Sequence, residues 1–405
     1  MNAVGIDISK GKSMIAIVRP NGEVVKKPFE ITHDAGTLET FAYSLKALEG
    51  ETRVIMEYTG RYYEPVAAAL HEIGIYVSVV NPILIHDFGN NSLRRVKTDK
   101  KDALKIAKYG LDNWADLREY TPMEAVRQQL KTANRQYQLY IKTKVSLKNN
   151  LIALLDQTWP GVNTFFDSPV RSDGRQKWVD FVYDFWHADC VCNFSQDALV
   201  EKYRKWCKRR GYNFSQFKAE DIYIESLGHF HMLPKNANTK MLIREAVAVL
   251  NFVSKTAETF HSEMLRLAKE LPEYEVVMAM YGVGKATGPQ LIAEIGDVRR
   301  FPHRGALIAY AGVDPQPSQS GSYSRNSDPI SRKGSGLIRK NLFLVMEALL
   351  RKSPADEPVY QFIDRKRSEG KPFYVYMTAG SNKFLRIYYA RVKEHLNTLS
   401  ESKQA

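Results

Sequence analysis

Four carboxylates in the first quarter of the chain, Asp7, Glu57, Asp99 and Asp102, and one serine far downstream, Ser320, are the residues whose types and spacing point to chemistry. Acids drawn together offer the hard oxygen ligands that Mg2+ takes in octahedral geometry. A pair of such ions about 4 Å apart can clamp the attacking and leaving oxygens of a phosphodiester. Unmetallated, four close carboxylates would repel one another and raise their own pKa values. Each acid also has a plainer reading: Asp99 as a helix N-cap, Asp102 at N3 favouring the helix dipole, Glu57 as a strand-end acid. Ser320 lies in Gln319-Ser320-Gly321-Ser322-Tyr323-Ser324-Arg325. Behind it, Arg325, Arg332, Lys333, Arg339 and Lys340 against the lone Asp328 make 325 to 340 a cationic strip able to meet a phosphodiester. On spacing alone Ser318, Ser322, Ser324 and Ser327 compete with Ser320 as nucleophile, and a serine-rich loop can also be merely flexible.

The elements that would position the acids are legible upstream. Val4 to Ser9 and Ser13 to Val18 read as a hairpin around Lys10-Gly11-Lys12, and a third strand, Glu23 to Glu30, follows the Asn21-Gly22 turn. Leu38, Phe41, Leu45 and Leu48 recur at helical spacing. Arg53 to Glu57 reads as a strand, Glu64 to Ile73 as a helix, and Tyr76 to Asn81 as a strand stopped by Pro82. Three consecutive strands, then alternating helix and strand, is the order of a ribonuclease H-like α/β domain over 1–115. Asp7 and Glu57 fall at its first and fourth strands. Asp99 and Asp102, at i and i+3, share a face of the late helix that carries Leu104, Ile106 and Ala107.

Beyond Thr121 the pattern is helical. Leu130, Ala133, Tyr137, Tyr140, Leu147, Leu151 and Leu154, and later Leu242, Ala246, Val249, Val253, Thr256, Phe260 and Leu267, suggest an antiparallel coiled-coil hairpin over 121–156 and 241–271, within one chain or between protomers. Between these lies an inserted module, 157–240, with Trp159, Trp178, Trp186, Trp206 and basic stretches such as Lys205 to Arg210. Interleaved cations and aromatics could track a nucleic acid and stack on its bases; a small packed domain with a charged face is equally compatible. His187, Cys190, Cys192, Cys207, His229 and His231 match no zinc ribbon or finger in spacing, which favours structural thiols and ordinary histidines. From 272 to 398 a mainly helical domain follows. In it Gly282, Gly284, Lys285 and Thr287 form a helix-hairpin-helix-like turn that could present backbone N–H groups to a phosphate; tight helix packing would explain the glycines nearly as well.

Composition fits this reading. A net charge of +13 over 405 residues favours polyanions, and the excess lies behind the nearly neutral acidic segment. Three cysteines give no even disulfide framework, no signal peptide precedes the first strand, and no apolar run reaches membrane-spanning length. The expectation is a soluble cytoplasmic protein with no membrane partner. The residues leave open a metal-only nuclease such as a junction resolvase, with water attacking, and a non-catalytic nucleic-acid-binding protein.

Five stretches give the chain a family resemblance. They are Gly5-Ile6-Asp7-Ile8-Ser9-Lys10, Met56-Glu57-Tyr58-Thr59-Gly60, Lys97-Thr98-Asp99-Lys100-Lys101-Asp102-Ala103, Gly282-Val283-Gly284, and Ala311-Gly312 through Ser320-Gly321-Ser322. The chain resembles, over about 1 to 155 and 272 to 395, the DEDD family of bacterial insertion-sequence transposases, related to the Piv and MooV DNA invertases. The insert departs from compact members of that family. The resemblance implies a composite site: Asp7, Glu57, Asp99 and Asp102 of a RuvC-like domain bind Mg2+, and Ser320 of a C-terminal transposase domain forms a covalent phosphoserine link to double-stranded DNA. It further implies a bridge RNA as guide, a homo-oligomer (dimer or tetramer), a serine acting beside carboxylates of another protomer, and work at the bacterial nucleoid.

Overall fold

Along the first strand, Val4, Ile6 and Ile8 alternate with Ala3, Gly5 and Asp7, so the two faces differ in bulk and each is matched to a different cover. The computed structural model describes residues 1–88, 98–228, 231–315, 319–320, 323–324 and 329–402, and the chain divides into two units, Met1–Met123 and Glu124–Ala405.

In the first unit five strands, β1 (Asn2–Ile8), β2 (Lys12–Val18), β3 (Val24–Thr32), β4 (Thr52–Glu57) and β5 (Tyr76–Val80), form one sheet in the order β3-β2-β1-β4-β5. The pairs β1–β2 and β2–β3 are antiparallel, whereas β1–β4 and β4–β5 are parallel, which is the ribonuclease H-like arrangement expected. Asn21 and Gly22 both have positive φ, 68° and 81°, as a tight hairpin turn demands. Val4, Ile6, Ile8, Val54 and Met56 pack under helices α1 (Ala35–Lys46) and α2 (Tyr63–Glu72). Pro82 starts rather than merely stops an element, since α3 (Pro82–Asp87) begins on it, where its missing N–H costs nothing.

The opposite face, Ala3, Val18, Ile55 and Val80, is covered by α4 (Asp99–Asp112) through Ile106 and Ala107. This helix lies on the sheet backbone itself. A Cβ at Gly5 would sit 2.1 Å from the carbonyl oxygen of Ala103 and 2.4 Å from the nitrogen of Ala107, and one at Gly110 would meet the Ile55 side chain at 2.4 Å. Gly5, Ala103, Ala107 and Gly110 are small because the approach leaves no room.

In the second unit α5 (Ala125–Leu155) and α10 (Ala237–Lys269) pack antiparallel along their length. Leu130 and Ala133 share a core with Met264, Leu267 and Ala268, whereas Leu151 and Leu155 share another with Ile243, Val247 and Leu250. Between these, Tyr140 stacks on Phe260 and Tyr137 on His261. The seam on α10 agrees with the expected one at Val253 and Leu267, which are buried, and is one residue off in the first half of the helix, where Leu242 and Val249 are 45% and 46% exposed and Ile243, Val247 and Leu250 are buried instead. Two adjacent apolar rows run along this helix, and the bulky core of the insert selects the one that faces inward.

That insert contains α6 (Lys177–Asp184), α7 (Asp189–Cys192), α8 (Gln196–Arg210) and α9 (Gln216–Ser226). Trp159, Trp178, Trp186 and Trp206 are all buried in its core with Phe181, Phe185 and Tyr203, so of the two readings left open by the sequence these aromatics follow the packed domain. The Trp206 indole N–H donates to Asp184 at 2.9 Å, and Arg209 and Arg210 donate to the same carboxylate, which turns part of the basic stretch onto its own acid.

The remaining helices, α11 (Tyr274–Met278), α12 (Thr287–Ile295), α13 (Arg304–Ala311), α14 (Gly336–Lys352), α15 (Pro358–Ser368) and α16 (Phe373–Ser402), surround a common core. Arg127 on α5 is buried against Glu273 in a two-pronged ion pair, its Nη2 at 2.9 Å from Oε2, which ties the start of α5 to the entrance of α11. Among the described residues no helix is long and apolar enough to cross a membrane.

Because the atoms facing Gly5 are backbone rather than a side chain that could swing away, Gly5→Ala is expected to destabilise the first unit by about 3 kcal/mol or more. Urea unfolding of the wild-type and variant proteins measures it.

Candidate functional site

The sheet register decides where the acids go. Ile6 pairs with Met56 in the parallel β1–β4 ladder, so Asp7 and Glu57 occupy the next row side by side, and period-two alternation turns both toward the face that α4 covers. On β2, Lys12 belongs to that face too. Its ammonium is held above the ordinary lysine value mainly by its ion pair with Glu30, 2.8 Å away, with the charge of Asp99 adding to the effect. Asp99 is therefore near the β1–β2 end of the sheet, where β1 and β4 deliver Asp7 and Glu57.

The start of α4 explains both remaining acids. Thr98, not Asp99, is the N-cap, its hydroxyl accepting from the Lys101 N–H at 3.4 Å, so the capping alternative for Asp99 does not hold. Asp99 and Asp102 stand in the first turn, where the helix dipole favours negative charge. One sheet end thus collects four carboxylates from three elements. Three of their oxygens do not close to within 4.8 Å of one another; among the described residues only His187, Asp189 and His231 form such a triple.

The serine loop belongs to the second unit. Ser320 is on β6 (Gln319–Ser320), paired antiparallel with β7 (Tyr323–Ser324) so that Ser320 opposes Tyr323. Arg325, Asp328 and the competing Ser318, Ser322 and Ser327 lie outside the described residues. The neck of the loop is closely bonded. Pro315 bridges Ile330, the Ser331 N–H donates to the Asp314 carbonyl at 3.0 Å and the Arg332 N–H to the Gly312 carbonyl at 3.2 Å. The two arms touch at glycines, since a Cβ at Gly334 would lie 2.1 Å from the Tyr310 carbonyl oxygen and 2.5 Å from the Gly312 nitrogen.

Of the strip's cations, Arg332 and Lys333 are exposed, and Arg332 has the unusual φ of 54°, a left-handed conformation that a non-glycine residue keeps only where its surroundings enforce it. Arg339 is turned inward. Its Nη1 donates to the carbonyls of Ala311 and Gly334, both at 3.0 Å, joining the two arms. Burial and then the neighbouring Arg332 hold its pKa below the ordinary arginine value. Lys340 donates to Gln138 at 2.9 Å.

At the glycine turn, Gly282 (φ 80°) abuts the backbone of α14, where a Cβ would meet the Val345 carbonyl oxygen at 2.8 Å, so packing accounts for it. The Gly284 N–H is donated to Thr287 Oγ1 at 2.9 Å, and the Lys285 carbonyl faces His261 at 3.1 Å. What the sequence reading missed is the buried polar layer under the neck. Glu294 is buried and accepts from Asn134 at 2.9 Å, while Ser335, the N-cap of α14, reaches its other oxygen at 3.4 Å. Gln138 donates to Gln290 at 2.6 Å. Asn134 and Gln138 interrupting an otherwise apolar helix face four residues apart were the available signal.

Comparison with known proteins follows the same division. Residues 4–160, which include all four acids, match a transposase profile of the DEDD type, and residues 274–361, which include Ser320, match the transposase IS116/IS110/IS902 family. The chain belongs to this family of insertion-sequence transposases. It is 23% identical over 343 residues to the pilin gene-inverting protein of Moraxella bovis, covering 84% of this chain and 80% of that one. It is 23% identical over 371 residues to the 44.8 kDa protein of insertion element IS116 of Streptomyces clavuligerus, covering 91% and 88%. Among solved structures, RuvC of Thermus thermophilus matches at 14% identity and a TM-score of 0.25, covering 30% of this chain and 100% of that one.

Arg339→Lys keeps the charge but, with a shorter side chain, loses the nitrogen that bonds the Ala311 and Gly334 carbonyls together, a cost of roughly 1.5–3 kcal/mol to the neck. Limited proteolysis is expected to cut between Pro315 and Ile330 about tenfold faster in the variant, at unchanged cleavage elsewhere.

Proposed function

We propose that this protein is a DNA transposase that cuts and rejoins the strands of its own element through a covalent serine–phosphate link. The observation that carries the reading is the collection of Asp7, Glu57, Asp99 and Asp102 at one end of a ribonuclease H-like sheet, in a chain that also brings a serine-bearing loop on a rigid, cationic neck. Four carboxylates are a hard, all-oxygen donor set that fits Mg2+ and not a soft metal. When bound, a pair of such ions would neutralise charge on the phosphate and favour the serine alkoxide.

The chain's own groups do the rest. Ser320 Oγ attacks phosphorus, the new bond being serine O–P and the broken one P–O of the deoxyribose, whose released hydroxyl takes up a proton. The phosphodiester energy stays in the protein–DNA bond, and the reverse attack by another strand's hydroxyl restores a continuous backbone without ATP. Arg332, Lys333 and Arg325 attract the phosphate, and the exposed Lys285 and Lys340 border the duplex as further contacts, whereas Gly282, Gly284, Thr287 and Arg339 serve the packing and bonding of the neck and turn. Homo-oligomers, dimers or tetramers assembled through the coiled-coil pair α5 and α10, bring serine and acids of different copies to one DNA. A bridge RNA selects donor and target by base pairing.

Ser320→Ala should abolish strand exchange by about a thousandfold or more, and wild-type complexes trapped under denaturing conditions should carry DNA on Ser320. Full exchange by the variant would falsify the serine mechanism in favour of attack by water. Asp7→Asn and Asp102→Asn should stop exchange while DNA binding persists. Purification from the native host should recover a short transcript from DNA flanking the gene, and bulk ribosomal or messenger RNA alone would overturn the guide.

A further inference from the structure

At the base of the insert, the segment His187–Cys192 lies against the stretch 231–233 and brings together side chains that the transposition chemistry does not use. The rings of His187 and His231 are 4.4 Å apart. The Asp189 carboxylate lies between them, Oδ1 at 3.4 Å from His231 Nε2 and Oδ2 at 3.6 Å from His187 Nδ1, and Cys192 Sγ is 3.6 Å from the same Oδ1.

The histidine–carboxylate separations are longer than the roughly 2.7–3.2 Å of a hydrogen bond. Ligand bonds of about 2.0–2.2 Å place nitrogen and oxygen about 3.3–3.5 Å apart on the edge of a coordination tetrahedron, which the His231–Oδ1 separation matches. One ligating atom from each of His187, Asp189 and His231 lies within 4.8 Å of the other two.

Second contacts prepare the donors. His187 Nε2–H donates to the Leu233 carbonyl at 3.1 Å, which leaves the Nδ1 lone pair directed at Asp189, the arrangement in which a metal-bound histidine is usually held. Among the described residues His231 Nδ1 is buried with no hydrogen-bond partner. Lys235 donates to the Asp189 backbone carbonyl at 2.9 Å, not to its carboxylate. The Asp189 N–H, 3.1 Å from His187 Nδ1, competes for that lone pair and would turn to the metal-bound carboxylate or water when the ion binds, since the first turn of α7 gives it no helical acceptor.

We propose that His187, Asp189 and His231 bind a structural zinc ion, two imidazoles and a carboxylate being a three-ligand set that leaves a fourth position for water. The ion clips α7 to the chain leaving the insert, which is also held at the end of α5 by the Met232 and Leu233 N–H groups on the Gln157 carbonyl. Cys190 and Cys207 are buried thiols of the aromatic core and take no part.

The test uses the full chain, stripped with a chelator and titrated with Zn2+ or Co2+. One zinc per chain is expected, with a higher melting temperature, and the cobalt form should show the visible bands of a low-coordinate nitrogen–oxygen site that Cys192→Ser leaves in place. Asp189→Asn and His231→Gln, both at partly exposed positions, should weaken zinc binding about tenfold or more, and Asp7→Asn should leave it unchanged. Undiminished zinc binding in the two insert variants, its loss in Asp7→Asn, or a wild-type protein that gains no thermal stability from zinc would each overturn the site. A thiolate charge-transfer band in the wild-type cobalt spectrum would overturn the three-ligand set.

Discussion

The contact between α4 and the backbone of β1 is the constraint on which the first unit depends. Without a side chain at Gly5 the helix settles directly on the strand, and Ala103 and Ala107 complete the fit. The same contact fixes the height and direction of the helix start, so Asp99 and Asp102 reach the sheet end where register has set Asp7 beside Glu57. A bulkier interface would lift the helix by an ångström or more, and ligands for a hard cation tolerate little such error. Packing and chemistry are one requirement here, expressed two residues apart on one strand.

The serine loop is organised by the opposite device, a rigid base below a variable span. Gly312 and Gly334 let the two arms touch, Arg339 bonds both, and Glu294 lies in a buried polar layer with Asn134 and Ser335. A buried carboxylate stripped of such partners is costly, so the layer holds α5, α12 and α14 in one relative position. The exposed cations, Arg332 and Lys333, stand on this base, and Arg332 keeps a left-handed backbone there.

Much of this was readable in the residues. Strand alternation and the Asn21-Gly22 turn located the sheet, and the acids could be assigned to its strands and late helix because each has a local signature. The first half of the α10 seam was not readable, because adjacent apolar rows such as Leu242 with Val249 and Ile243 with Val247 are equivalent until a partner chooses between them, whereas Val253 and Leu267 further along fell where expected. The four tryptophans of the insert look the same whether they face bases or one another, and only burial separates the cases. Arg339 was legible as a charge but not as a clasp, since its acceptors, Ala311 and Gly334, are backbone carbonyls that any sequence would supply. Asp189 was not legible as a partner of His187 and His231, because histidine and cysteine spacing gives an aspartate no part.

The antiparallel pair α5 and α10 has one core at each end and a stacked aromatic middle, Tyr137 on His261 and Tyr140 on Phe260, between them. It is therefore an adjustable ruler. Adding or deleting seven residues in each helix would move the insert by about 10 Å and turn it by only about 20°, with both cores untouched. Within such a lineage the reach of the insert could evolve in heptad steps while the serine loop, anchored at the other end, kept its geometry.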